Sequence, residues 1–175
     1  MSVIDIPTAL TESETTALQA IVKDKYVLEI GALLGYSTVV MAQTAKCVTS
    51  IDPHEGYPED NPRPTWAPYL ANLRKHQVQG KVLPIRDTWQ HAVKEGLPAP
   101  YDVVFMDLTG KYEDTHELLM YLHPEWGWRL KTICVHDCGH PDWPGVDRAV
   151  QEFVTFLDMH ARFEQIDRMG VFRYA

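Results

Sequence analysis

Acidic residues close five apolar segments of this chain. Glu29 lies in Tyr26–Ile30, Asp52 follows Cys47–Ile51, Asp87 follows Val82–Ile85, and Asp107 follows Tyr101–Met106. Asp137, preceded by His136, follows Thr132–Val135. Carboxylates accept hydrogen bonds from hydroxyl pairs and hold hard cations, and an imidazole beside them titrates near neutrality. Asp favours turns and helix caps, which accounts for one or two such positions; five in register point to a shared ligand site. The first turn, Glu29 to Ser37, reads E-I-G-A-L-L-G-Y-S. It lacks the third glycine of a dinucleotide fingerprint and the Gly-Lys-Ser/Thr of a phosphate loop. Gly31 and Gly35 would let a ligand approach the backbone closely. Asp52 closes the next strand about 20 residues on, where a carboxylate can accept both hydroxyls of a ribose. The pattern suits a nucleoside without phosphates.

Such residues need a frame that brings strand ends together. Thr11-x-x-Glu14 predicts a capping box opening a helix to about Val22. Tyr26–Ile30, Cys47–Ile51, Val82–Ile85, Tyr101–Met106 and Thr132–Val135 read as buried strands. Helices are expected over Tyr36–Ala45, Tyr69–Gln77, Trp89–Glu95, Tyr112–Leu122 and Val146–His160. The tail, Phe163–Ile166 and Val171–Tyr174 about Met169-Gly170, reads as a hairpin. Repeated βα alternation predicts an α/β, doubly wound, mostly parallel sheet with helices on both faces. No repeat, linker or low-complexity stretch interrupts residues 1–175, so one domain is expected. Ligands of such sheets bind outside the carboxyl ends of the strands.

Composition narrows the partners. At 175 residues with net charge −8, the chain disfavours nucleic-acid backbones and anionic membranes. Its longest uncharged stretch, Ile30–Ala45, is too short and polar to span a bilayer comfortably, and the N-terminus shows no secretory signal. Three cysteines, Cys47, Cys134 and Cys138, have no disulfide-framework spacing, which favours a reducing, cytoplasmic setting.

The motifs E-I-G-A-L-L-G-Y-S, Y-D-V-V-F-M-D-L-T-G-K-Y-E-D (Tyr101–Asp114) and I-C-V-H-D (Ile133–Asp137) resemble those of class I S-adenosylmethionine-dependent methyltransferases. The likeness is to the small O-methyltransferase-like group and runs from about Tyr26 to Tyr174. It implies a Rossmann-like seven-stranded sheet of order 3-2-1-4-5-7-6, with the last strand antiparallel. It also implies that Glu29, Gly31, Gly35 and Ser37 shape the methionine end of an S-adenosylmethionine pocket, that Asp52 holds the ribose, and that Asp87 and Thr88 lie near the adenine. Asp107 would sit at both the cofactor and the acceptor. The chain departs from the group at Leu108-Thr109-Gly110, where Gly and His are usual, and at Trp126-Gly127-Trp128, where a Gly-Gly turn is usual. Two functions follow: methyl transfer to an oxygen of a small molecule or natural product, or a non-catalytic S-adenosylmethionine-binding or interaction domain. For the enzyme, Asp107 and Asp137 could hold Mg2+, or His136 could act as general base without metal. With no sizeable inserted cap beyond the Pro53–Trp66 loop, the site would be open, or completed by a partner subunit of a homo-oligomer.

Other features have plainer readings. Cys134, His136, Cys138 and His140 alternate as zinc ligands can, although structural zinc usually draws on two separated ligand pairs. Tyr69, Leu70 and Leu73 read as core, as do Val150, Phe153, Val154 and Leu157. The loop Pro53–Trp66, with four prolines and Tyr57, reads either as the flank of an acceptor entrance or as an ordinary rigid connection, and one or two of Trp66, Trp89 and Trp143 either line an acceptor pocket or merely cover the sheet. His91, His116, His123 and His160 fall in helical stretches with no evident chemical partner.

Overall fold

A computed structural model describes residues 4–56, 63–97, 100–126, 130–157 and 161–174. Tyr57, Pro58 and Pro62 of the proline loop, Gly127 and Trp128, and His160 lie outside the described residues, as do the side chains of His123 and Trp126. The strands form one seven-stranded sheet of order β3-β2-β1-β4-β5-β7-β6. The chain divides into two compact units, Met1–Ala99 and Pro100–Ala175.

In the first unit, β1 (Tyr26–Ile30), β2 (Cys47–Ile51) and β3 (Val82–Ile85) pair in parallel, with Ile30 opposite Ile51 and Ile51 opposite Ile85. Strands flanked by helices read as continuous apolar runs, because neither face meets water. Val27, Leu28, Val48 and Ile51 are accordingly buried. Helix α1 (Glu12–Ile21) begins with the expected capping box: Glu14 N–H donates to Thr11 Oγ1 at 3.1 Å, and Thr11 N–H to Glu14 Oε2 at 2.8 Å. Two orphan amides are satisfied reciprocally, a contribution of about 1 kcal/mol. Helices α2 (Tyr36–Thr44), α3 (Trp66–Lys75) and α4 (Trp89–Glu95) complete the unit. Helix α3 starts three residues before the expected Tyr69, and a short 3-10 turn, Gln79–Lys81, leads into β3.

In the second unit, β4 (Val103–Met106) and β5 (Thr132–Val135) pair in parallel, and β7 (Met169–Tyr174) runs antiparallel to both β5 and β6 (Ala161–Ile166). Asp167 and Arg168 form the hairpin turn, with Asp167 at φ 50°. Helix α5 (Tyr112–Trp126) continues beyond the expected Leu122. Helix α6 (Pro144–Leu157) opens on proline, whose missing N–H costs nothing in a first turn. Its buried residues Val146, Ala149, Val150, Phe153 and Leu157 recur at helical spacing and form one apolar stripe. Phe153 meets Phe172 of β7 edge-on, with ring centroids 5.1 Å apart. Such a pair adds about 1 kcal/mol beyond area burial.

Candidate functional site

In the first unit, the turn after β1 is fixed by a residue that ends β2. The Asp52 carboxylate accepts the N–H groups of Ala32 at 2.7 Å and Leu33 at 2.8 Å through Oδ2, and that of His54 at 2.5 Å through Oδ1. Charge-assisted bonds of this kind are short and strong. Leu33 and His54 both carry positive φ, 47° and 57°, costly for such side chains unless held from outside. Asp52 supplies that hold. Three of its roughly four acceptor positions are thereby taken.

Gly35, the residue before α2, has φ 87°, and a Cβ there would stand 2.8 Å from Cδ2 of Tyr69. Only glycine meets both demands without strain. Glu29 projects from β1 into a fully buried setting. Ser37 Oγ donates to its Oε1 at 2.6 Å and Thr38 Oγ1 to its Oε2 at 2.5 Å, so the carboxyl ties β1 to the first turn of α2. Burial lifts its pKa to about 7, a rise opposed by the hydroxyls of Ser37, Ser50 and Thr38 and reinforced by the charge of Asp52.

Tyr69 is core, as expected, yet it also packs on His54 and Trp66, with centroids 4.6 and 6.0 Å away. His54 Nδ1 lies 2.9 Å from Thr65 Oγ1, and burial lowers the pKa of its imidazole. The neutral ring leaves Asp52, 3.9 Å away, without an ion pair there. His54, Thr38 and Ser50 had not been singled out from sequence; only the position of His54, two residues past Asp52, could have signalled it.

Asp87 lies two residues beyond β3. Its carboxylate accepts Thr88 N–H at 2.8 Å and meets His91 Nδ1 at 2.5 Å, while Thr88 Oγ1 caps α4 through His91 N–H. The contact holds Asp87 below and His91 above their usual pKa. His91 therefore has a partner, unlike the expectation from sequence. Trp89 is buried in α4, which agrees with the reading of it as an aromatic that covers the sheet.

In the second unit, the ends of β4 and β5 bring Asp107, His136 and Asp137 together, with one ligand atom from each lying within 4.8 Å of the others. His136 Nδ1 is 3.4 Å from Asp107 Oδ2 and 3.3 Å from Asp137 Oδ1. The His136 side chain is 1% exposed, against 35% for Asp107 and 16% for Asp137. His136 N–H donates to Met106 O at 3.0 Å, which extends the β4–β5 ladder to the site. Asp137 turns the chain at φ 65°, a conformation that Asp tolerates. Burial raises its pKa, the negative charge of Asp107 adds to the rise, and His136 opposes it.

Cys138 is buried, and its thiol donates to Val135 O at 3.4 Å; burial pushes the thiols of Cys134 and Cys138 up to about 12. His140 Nδ1 accepts Asp142 N–H at 3.1 Å. Among the described residues the group that could share an ion is Asp107, His136 and Asp137, without either cysteine or His140. Beyond Asp107, Gly110 at φ 74° sits under the ring of Trp143, which is 37% exposed and 6.2 Å from the His140 ring. His116, also read as partnerless, stacks on Tyr112 at 5.1 Å and lies 3.8 Å from Glu152.

A family model described as a methyltransferase domain matches residues 28–138, from β1 past the end of β5. The chain belongs to this methyltransferase-domain family. No curated protein sequence matches it. Among solved structures, this methyltransferase domain is similar to cofactor-bound Rv0187 from MTB, at 17% identity and TM-score 0.73, covering 98% of this chain and 84% of that one. It is similar to the O-methyltransferase TomG from Streptomyces achromogenes, involved in tomaymycin synthesis and solved with SAM, at 17% identity and TM-score 0.68, covering 95% and 82%. An O-methyltransferase from Bacillus cereus in complex with SAH gives 15% identity and TM-score 0.64, covering 94% and 82%. These likenesses establish the Rossmann-like fold of the methyltransferase domain, with the strand order expected from sequence. No helix among its described residues is long and apolar enough to cross a membrane.

Proposed function

We propose that this methyltransferase domain transfers a methyl group from S-adenosylmethionine to a hydroxyl oxygen of a small molecule. The observation that carries the reading is the clamp of Asp52 on the turn after β1. It fixes backbone at the carboxyl ends of the strands, where ligands of such sheets bind. The O-methyltransferases among the similar folds support oxygen as the acceptor atom.

In the first unit, Gly31 would let the cofactor approach the turn closely, while Gly35 makes room for the ring of Tyr69 that backs it. Glu29 and Ser37 shape the methionine end, and Asp52 has about one acceptor position left for a ribose hydroxyl. Asp87 and Thr88 border the adenine through the start of α4, with Asp87 already engaged by His91. S-adenosylmethionine supplies, when bound, an electrophilic methyl group on a positively charged sulfur.

In the second unit, the two carboxylates and the imidazole fit a divalent cation by donor chemistry. Asp107 and Asp137 would hold Mg2+, which would supply a Lewis acid able to lower the pKa of an acceptor hydroxyl. Methyl transfer would exchange the carbon–sulfur bond of the bound cofactor for a carbon–oxygen bond, and the acceptor's proton would pass to water or, without metal, to His136. His136 is the competing base if no metal is used. The three free cysteines suit a cytoplasmic enzyme.

The deciding experiment is calorimetry of S-adenosylmethionine with the wild type and Asp52→Ala, followed by a screen of small hydroxylated acceptors for S-adenosylhomocysteine formation. Weaker binding by the variant, by a few kcal/mol at most, and turnover with an acceptor are expected. No binding by the wild type overturns the reading, and binding without turnover on any acceptor favours a non-catalytic binding domain.

A further inference from the structure

We propose that Asn72 of α3 is a positioning residue for the amino-acid end of S-adenosylmethionine, acting through the main chain of the turn after β1. The inference rests on the reading above and deepens it by adding a residue that no motif in the sequence singles out.

Four peptide planes lead from Gly31 to Gly35, and a side chain from outside the turn holds each one. Asp52 takes the first two through the N–H groups of Ala32 at 2.7 Å and Leu33 at 2.8 Å. The ring of His54 donates to the carbonyl of Leu33 and so holds the third. Asn72 Nδ2 donates to the carbonyl of Leu34 at 2.8 Å and holds the fourth. A peptide unit is planar, so fixing its carbonyl also fixes the N–H on its other side. Here that is the N–H of Gly35, which donates to Ala32 O at 2.7 Å and closes the turn.

The fourth plane is the one that most needs a hold. Gly35 follows it at φ 87°, and glycine populates both signs of φ, so this peptide could rotate at little steric cost. Gly35 is also the residue before α2, so its rotation would redirect the chain into the first turn of that helix, where Ser37 lies.

Helix α3 places Asn72 for this task. Tyr69 and Leu73, one turn apart, are buried, and Tyr69 is the ring that a Cβ on Gly35 would strike. Asn72, three residues after Tyr69, lies on the same side of the helix. Asn is a mediocre helix former, because its side chain competes for nearby main-chain groups. At this mid-helix position it instead reaches a carbonyl 38 residues back in the chain.

The test is calorimetry on the full chain with S-adenosylmethionine, S-adenosylhomocysteine and 5′-methylthioadenosine, which keeps the nucleoside and lacks the amino-acid end. Asn72→Ala removes the donor, and Asn72→Asp keeps the shape while presenting acceptors alone. Both variants should bind the first two ligands about five- to tenfold more weakly than the wild type does. Both should bind 5′-methylthioadenosine as the wild type does, with melts showing each variant folded at the titration temperature. A purely structural role would weaken all three ligands alike or none of them, and either result overturns the proposal. A wild type that binds none of the three instead overturns the functional reading on which the inference rests.

Discussion

The ring of Tyr69 fills the space that a side chain on Gly35 would need, with Cδ2 2.8 Å from the position of that absent Cβ. Gly35→Ala must therefore displace a fully buried ring and also accept φ 87°. The left-handed backbone alone costs about 1–2 kcal/mol, and the displaced ring adds at least as much. Chemical denaturation should show a loss of about 2–4 kcal/mol, with weakened cofactor binding. Adding Tyr69→Leu should recover the steric part only; a double variant no better than the single one would mean that the ring is not the obstacle.

Removal of the Asp52 carboxylate should act on stability as well as on affinity. Asp52→Ala strands three backbone donors, which predicts a loss of about 2–4 kcal/mol in denaturant melts. Asp52→Asn keeps one acceptor oxygen and should fall between the two. A variant as stable as the wild type would show that the turn holds itself.

Glu29 gives stability a defined dependence on pH. Its carboxyl is raised from 4.5 to about 7, so between these values the folded chain retains a proton that the unfolded chain has released. The contribution is fully present below about pH 4.5 and is lost as pH rises through 7, because the unfolded state then binds fewer protons. The drop is on the order of 3 kcal/mol. Melts from pH 4.5 to 8 should show this slope in the wild type and a flatter one in Glu29→Gln. Parallel slopes would assign the dependence to other groups.

Trp143 offers a partly exposed aromatic face beside the turn that follows Asp107. If it contacts the acceptor, Trp143→Ala should raise the acceptor KM several-fold and leave the S-adenosylmethionine Kd unchanged. An unchanged KM would confine the ring to packing over Gly110.

Much of the frame was readable because buried parallel strands announce themselves as uninterrupted apolar runs. Cys47–Ile51, Val82–Ile85 and Thr132–Val135 begin and end where expected. Boundaries slipped where local cues are weak. Strand β4 starts at Val103 rather than Tyr101, and α3 starts at Trp66 within a proline-rich approach. The proximity of Asp107, His136 and Asp137 was foreseeable, since neighbouring strand ends share one edge of the sheet. The downward grip of Asp52 was not, because it depends on positive φ at Leu33 and His54, residue types that rarely adopt it. The Asp87–His91 contact was missed despite its i, i+4 spacing, which places the two side chains on one helical edge.

The cysteines divide between the units in a useful way. Cys47 is half-buried in the first, while Cys134 and Cys138 are sealed in the second with their thiols held protonated. Alkylating reagents attack thiolate that solvent can reach, so both sealed sulfurs stay silent until β5 parts from its neighbours. Pulsed labelling read by mass spectrometry would therefore clock the opening of the second unit at Cys134 and Cys138, apart from the label on Cys47, in the unmodified chain.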